Sequence, residues 1–217
     1  MKKLIICPWF GELPRWFDRW LANVETLKPM GYDFLVTTNL DLFNDRCEKV
    51  LGLRTPIVPG GGKLHDYRML FGVLFAEELK GYDFWGHTDF DCVYGNVERF
   101  LPDSMLKDLD IYADHSYICG PWTLYRNSYK VNTAFYYDET WRSEVLNLST
   151  TGWGENSYTK VINKLTNIGM LRTKYGSLHR YEVGEFSNLR FKDGELMLCN
   201  EPIMMFHFRR IKEYPIL

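Results

Sequence analysis

The sequence predicts an α/β fold in a single domain. Three observations carry this. A strand, an amphipathic helix and a second strand follow one another within the first 38 residues. A second helix-then-strand unit runs from His65 to Asp89. No repeat, linker or low-complexity tract interrupts the 217 residues, a length that suits one substantial core.

"KKLIIC" reads as a buried first strand that ends at Pro8. Pro14 fits the first turn of a helix. Trp16, Trp20, Val24 and Leu27 in "PRWFDRWLANVETLK" then recur at helical spacing. Gly31 stops that helix and "YDFLVTT" is the second strand. "NLDLFNDRCEKVLG" reads as a short helix. "PIVPGGGKL" is a loop from its proline and glycine content. It is not a phosphate-binding P-loop, because Ile57 stands where that motif needs its first glycine and Leu64 where it needs Ser or Thr. "HDYRMLFGVLFAEELKG" reads as a helix ending at Gly81, followed by the buried strand "YDFWGHTD". Further on, "DIYAD" and "GPWTLYRN" read as strands, "GENSYTKVINKLTNIG" as a helix ending at Gly169, and "ELMLCN" and "IMMFHF" as late strands.

Composition excludes several classes. The net charge of -2 offers no basic surface for nucleic acid or an anionic membrane. No apolar run approaches the roughly 18 residues needed to span a bilayer, and "LIIC" before Pro8 is too short for a signal-peptide core. Cys7, Cys47, Cys92, Cys119 and Cys199 are scattered and form no C-x-x-C, which fits a reduced, cytoplasmic interior. On that reading the sequon at Asn147 is fortuitous. Aromatic residues reach 16%, which is high enough to ask whether they fill a core or stack on bases and sugars; the core is the expectation. Nothing favours an oligomer, so a monomer is expected.

The chemistry-bearing stretch is "FWGHTDFDCVYGN", residues 84–96. Two D-x-D tripeptides occur. Asp108-Leu109-Asp110 lies in a charged helix end entering a strand and reads as structural. Asp89-Phe90-Asp91 closes an apolar strand in an α/β pattern, and carboxyl ends of such strands are where open sheets bind ligands. Along an extended strand, positions i and i+2 lie roughly 6.5–7 Å apart. That is too wide for both carboxylates to grip one ion. The expectation is one carboxylate on the metal, the other reaching it through water or holding a ribose hydroxyl. Hard oxygen ligands suit Mg²⁺ or Mn²⁺, with a diphosphate completing the shell. The alternative is a solvated strand end. Glu155, in "GWGEN", places a carboxylate at a helix start beside an indole, Trp153, that could floor a sugar. His207 in "MMFHFRR" could complete a metal site or be a hydrogen-bonded core imidazole.

Taken together, "IICPWFGELPRWFDRWL", "FLVTTN", "GGKLHDYRMLFG", "YDFWGHTDFDCVYGNVERFL" and "GPWTLYRN" resemble the small GT-A-fold glycosyltransferases that use nucleotide sugars. The central block is the most specific part, and the resemblance spans nearly the whole chain. It implies a Rossmann-type mixed central β-sheet flanked by helices, with residues 1–95 as the nucleotide-sugar half and 96–217 as the acceptor half. By the resemblance, Phe10 and Gly11 flank the nucleobase, and Thr37 and Thr38 approach the uracil or ribose. Lys63 and Asp66 serve the diphosphate and nucleotide. Asp89 and Asp91 hold ribose and metal, and His207 is the late ligand of a Mn²⁺ or Mg²⁺ ion. Glu155 is the candidate base. Asn156 departs from the acidic run found there in inverting members, which keeps Asp138 as the alternative. Trp122, Arg126 and Asn127 lie near the acceptor. The implied reaction is inverting transfer of a hexose or deoxyhexose, of glucose or rhamnose type, from a UDP-sugar to a glycan or glycoprotein. Viral members of the class would work in the host cytoplasm.

Two other classes compete. "DFDCV" matches the D-x-D-x-[TV] pattern of aspartate-nucleophile phosphohydrolases, although those carry it on the first strand with a later acidic pair. A non-catalytic glycan-binding module would use the aromatic residues, yet it has no need of Lys63, Asp66, Asp89 and Asp91 together.

Overall fold

Lys3–Pro8 forms strand β1 in the computed structural model, which describes residues 1–118, 120–181 and 188–208. Leu4 to Cys7 are buried, as an apolar run must be when both faces of its sheet are covered. Helix α1 (Phe17–Glu25) buries Trp20 and Val24. Strand β2 (Tyr32–Thr37) follows, then α2 (Leu40–Leu51). Asn39 caps α2 by accepting the Leu42 N–H at 3.0 Å, and Gly52 ends it in the left-handed conformation.

The stretch from His65 to Gly81 departs from the single helix expected. Gly62–Leu70 winds as 3₁₀ turns, α3 covers only Phe71–Leu74, and turns lead on to Gly81. Burial is the reason. Asp66 to Gly72 are buried without a break, so no exposed face is left to define an amphipathic period and tertiary contacts shape the backbone.

The chain continues through β3 (Phe84–Thr88), β4 (Cys92–Tyr94), α4 (Val97–Phe100), α5 (Asp103–Leu106), β5 (Ile111–Ala113) and β6 (Trp122–Arg126). Next come α6 (Tyr129–Asn132), α7 (Trp141–Leu146), α8 (Thr159–Asn167), β7 (Thr173–Tyr175) and β8 (His179–Tyr181). The last described strands are β9 (Leu189–Lys192), β10 (Glu195–Leu198), β11 (Glu201–Pro202) and β12 (Met205–His207). The central sheet has the order β2-β1-β3-β6-β5-β7. β1 is parallel to β2 and β3, and β5 is parallel to β7, whereas β6 is antiparallel to both β3 and β5. Gly86 in mid-β3 is required by this pairing, since a Cβ there would stand 2.4 Å from the Thr123 carbonyl oxygen of β6.

Buried side chains form a core on each side of the sheet. One includes Phe43, Tyr67, Phe71, Val145 and Ile162; the other includes Trp20, Val24, Leu106 and Trp122. Helices therefore cover both faces of a mixed sheet in one domain, as the sequence predicts. The aromatic excess goes largely into these cores, with Trp20, Trp85 and Trp122 fully buried. Asp110 of the second D-x-D is buried, 2.8 Å from Lys130 Nζ, and accepts the Arg172 N–H at 2.9 Å, so it is a structural counter-ion. Cys7, Cys47, Cys92 and Cys199 are free thiols, and Cys119 lies outside the described residues. Among the described residues no helix is long and apolar enough to cross a membrane.

Candidate active site

From β1 the chain passes to β2 on one side of the sheet and later to β3 on the other. That reversal opens a crevice at the carboxyl ends of the parallel strands. A cleft of about 570 Å³ lies there. Its walls are Pro8, Trp9 and Phe10 after β1, Trp16, the loop from Ile57 to Leu64, and Asp89 to Asp91 after β3. His65, Arg68, Tyr117, Pro121, Glu155 and His207 complete it.

Asp89, Phe90 and Asp91 form a turn between β3 and β4, where the sequence suggested an extended strand end. Phe90 drives the turn. Its ring is buried 4.4 Å from Trp20 and 5.3 Å from Trp9, centroid to centroid, and the Trp16 indole N–H donates to its carbonyl at 2.8 Å. The strand spacing of i and i+2 therefore does not apply. β12 then pairs antiparallel with β4, setting His207 opposite Cys92, and the Phe208 N–H donates to the Asp91 carbonyl at 2.9 Å. His207 Nε2 stands 3.2 Å from Asp91 Oδ1 and 3.9 Å from Asp89 Oδ2. Both carboxylates thus lie near one imidazole, Asp91 the closer of the two. The ring is not a remote core imidazole.

The electrostatics follow from burial and one arginine. Arg68 Nη2 pairs with Asp89 Oδ1. Burial works to raise the Asp89 pKa, but the Arg68 guanidinium, with His65 and His207, outweighs it and holds the carboxyl well below its usual range. Asp89 is therefore ionised. His65 lines the cleft; the Arg68 guanidinium, and to a lesser degree desolvation, push it down to about 4, so it is neutral at pH 7. His87, fully buried in β3, is kept neutral by burial and by Arg68. Burial, with Asp91 and Asp89 nearby, keeps the Cys92 thiol protonated well above its ordinary range. Asp91 and His207 stand together and Asp89 lies near the same imidazole; oxygen and nitrogen donors of this kind fit a divalent cation, Mn²⁺ accepting the nitrogen more readily than the oxygen-seeking Mg²⁺.

Glu155 also lines the cleft and is exposed to it. It sits in a π-helical turn, Gly154–Tyr158, that leads into α8. Gly152 takes φ +100°, which an L side chain rarely adopts, and so lets the chain double back before that turn.

Lys63 and Asp66 are placed beneath this loop, not in the cleft. Lys63 Nζ is buried and donates to Asp66 Oδ2 at 2.8 Å, Glu144 O at 2.6 Å and Thr150 O at 2.9 Å. The other Asp66 oxygen accepts the N–H groups of Gly152 and Trp153 at 2.9 and 2.8 Å. The pair clamps the segment that carries Glu155. Trp153 is buried and cannot floor a sugar; its indole N–H donates to Asp138 Oδ2 at 2.7 Å. The second Asp138 oxygen accepts from Thr140 N–H and Oγ1 at 3.0 and 2.7 Å. With both oxygens engaged, Asp138 lies outside the cleft lining.

The remaining residues divide by strand direction. Phe10 lines the cleft, while Gly11 is exposed against Pro59 and Gly60. Thr37 ends β2 and Thr38 follows it at the same sheet edge without lining the cleft; the Thr37 carbonyl accepts the Trp9 N–H at 2.8 Å. Trp122 pairs with Thr88 at the cleft end of β6 but is fully buried. Arg126 pairs with Phe84 at the opposite end, roughly 13 Å away at 3.3 Å per residue. There it donates to the carbonyls of Leu109 and Leu106, and the Asn127 amide to those of Leu79 and Tyr82. Neither reaches the cleft. Arg68, His65, Trp9 and Trp16 were not anticipated. For Arg68 a signal existed: an arginine inside an otherwise apolar run demands a buried carboxylate.

No curated protein matches the chain in sequence. In structure it is similar to a glycosyltransferase involved in the glycosylation of the major capsid of PBCV-1, with a TM-score of 0.55 and 10% identity over 98% of this chain and 96% of that one. Mouse xyloside xylosyltransferase 1, apo form, is more distant, at a TM-score of 0.42 and 10% identity over 98% of this chain and 86% of that one. The chain thus shares the fold of that capsid-glycosylating glycosyltransferase. A family of unknown function (DUF6625) matches residues 34–166, more than half of the chain, and the chain belongs to that family.

Proposed function

We propose that the chain is a cation-dependent GT-A glycosyltransferase, acting as a monomer on a UDP-sugar donor and a glycan or glycoprotein acceptor. The observation that carries this reading is Asp91 beside His207, with Asp89 near the same imidazole, in a cleft at the carboxyl edge of a glycosyltransferase-like sheet. A divalent cation bound there supplies the charge that stabilises a departing diphosphate. Arg68, always charged and held by Asp89, adds fixed positive charge at the same place. Trp9, Trp16 and Tyr117 offer aromatic faces for the donor's rings. Glu155, which lines the same cleft, is the carboxylate assigned to take a proton from the acceptor hydroxyl, which is what inversion requires.

Glucose or rhamnose is proposed as the transferred sugar. The acceptor side is assigned to residues 96–217, with the capsid glycoprotein of the viral relative as the pattern for the acceptor class. Calorimetry of UDP binding with Mn²⁺ and with EDTA tests the reading, followed by a screen of UDP-sugars for slow hydrolysis. Equal UDP affinity in EDTA would remove the cation. Phosphomonoester turnover without UDP-sugar turnover would move the chain to the phosphohydrolases.

A further inference from the structure

Cys92 has no part in the proposed reaction, yet it adjoins the cation site. One donor atom each from Asp91, Cys92 and His207 lie within 4.8 Å of one another. The strand register makes this specific. Cys92 and His207 are direct cross-strand partners, so their side chains stand on the same face of the β4–β12 pair. Sulfur, imidazole nitrogen and carboxylate oxygen together are the ligand set of a zinc-class ion, not of Mg²⁺ or Mn²⁺.

We propose that Asp91, Cys92 and His207 form a zinc-binding site that shares Asp91 and His207 with the hard-cation site and exchanges Asp89 for Cys92. Zinc–ligand bonds of about 2.0–2.3 Å set ligand atoms roughly 3.3–3.7 Å apart. The Asp91–His207 contact already meets that spacing, at 3.2 Å, so the thiol alone has to close in. Zn²⁺ forms a bond to Sγ while the S–H bond breaks, and the proton passes to solvent. Asp89 stays with Arg68. For first-row ions zinc binds such donors more tightly than manganese, so Zn²⁺ displaces Mn²⁺ and shuts off the activity. That last consequence rests on the function proposed above; the site itself does not.

The test uses the metal-stripped full chain and Co²⁺ as a spectroscopic stand-in for Zn²⁺. Wild type is expected to show near-ultraviolet thiolate-to-cobalt absorption, lost in Cys92→Ser and in His207→Ala. Zn²⁺ affinity, measured against a chromophoric chelator, should fall at least ~10-fold in Cys92→Ser, with Mn²⁺ affinity nearly unchanged. Cys92→Ala serves if serine disturbs the buried strand. No thiolate band in wild type, a band that survives either substitution, or equal zinc affinity in wild type and the Cys92 variant would overturn the proposal. A cobalt band with no Mn²⁺-dependent UDP binding would instead sink the donor reading and leave the zinc site standing.

Discussion

The imidazole Nε2 of His207 stands 3.2 Å from Asp91 Oδ1, and the pairing of β12 with β4 holds it there. A late strand thus supplies a nitrogen to a turn formed in the first half of the chain. In the cation site proposed here the turn and the strand each supply a donor.

Asp91→Asn and His207→Ala are each expected to weaken Mn²⁺-dependent UDP binding by at least ~10-fold. Melting temperature in EDTA should change little for Asp91→Asn, because Asp91 is only partly buried. Calorimetry with and without Mn²⁺ checks the first effect and a thermal melt the second. Full affinity in both variants would assign the ion elsewhere.

Glu155→Gln is expected to lower kcat by roughly 10²–10⁴-fold, the usual contribution of a positioned base. UDP affinity and fold should be retained, since the residue is exposed in the cleft. If it were only a polar residue in the first turn, kcat would stay within a few-fold. Steady-state kinetics on an accepted glycan decides.

Asp66→Ala leaves the Lys63 ammonium buried without its carboxylate and strips the acceptor from two backbone N–H groups. A loss of about 3–5 kcal/mol is expected, as for other buried pairs broken on one side. Chemical denaturation measures it. The double variant Lys63→Met/Asp66→Leu should lose less, because no buried charge is then stranded. A double variant that loses as much as the single one would show that the backbone contacts, not the ion pair, dominate.

Asp138 sets an acid limit on stability. Burial works to raise its pKa, but hydrogen bonds from Trp153 and Thr140 prevail and lower it. A folded value below the unfolded one means a stabilising contribution that is present above the unfolded pKa, about 3.9. It is lost as pH falls through the depressed folded value. The gap in melting temperature between wild type and Asp138→Asn should accordingly be full near pH 6 and shrink on acidification. A gap that widens in acid would contradict the sign.

Much of this was legible in the sequence because it depends on local pattern. The apolar run of β1, the helical spacing of Trp20 and Val24 in α1, and the strand β3 that runs up to Asp89 all follow from neighbours in the chain. So does the choice between the two D-x-D tripeptides, since only one ends a β3-like apolar strand. What local pattern could not reveal is which side of a packed element a charge would serve. Lys63 and Asp66 look like ligand-binding residues, but each satisfies buried groups of the other's surroundings. Trp153 looks like a sugar platform and is core.

The sequence by itself determined the α/β order, the strand that ends in two carboxylates and a late apolar strand with a histidine. Only the tertiary structure decided that the Asp89–Asp91 segment turns around a buried Phe90, that Arg68 pairs with Asp89, and that His207 arrives beside Asp91. It also decided that Arg126 and Asn127 face away from the cleft, because β6 runs antiparallel to β3 and its end lies at the opposite edge of the sheet. The physical reason is common to all of these. Residue type and spacing specify a strand and its faces, whereas its direction and partners come from packing between segments far apart in the chain.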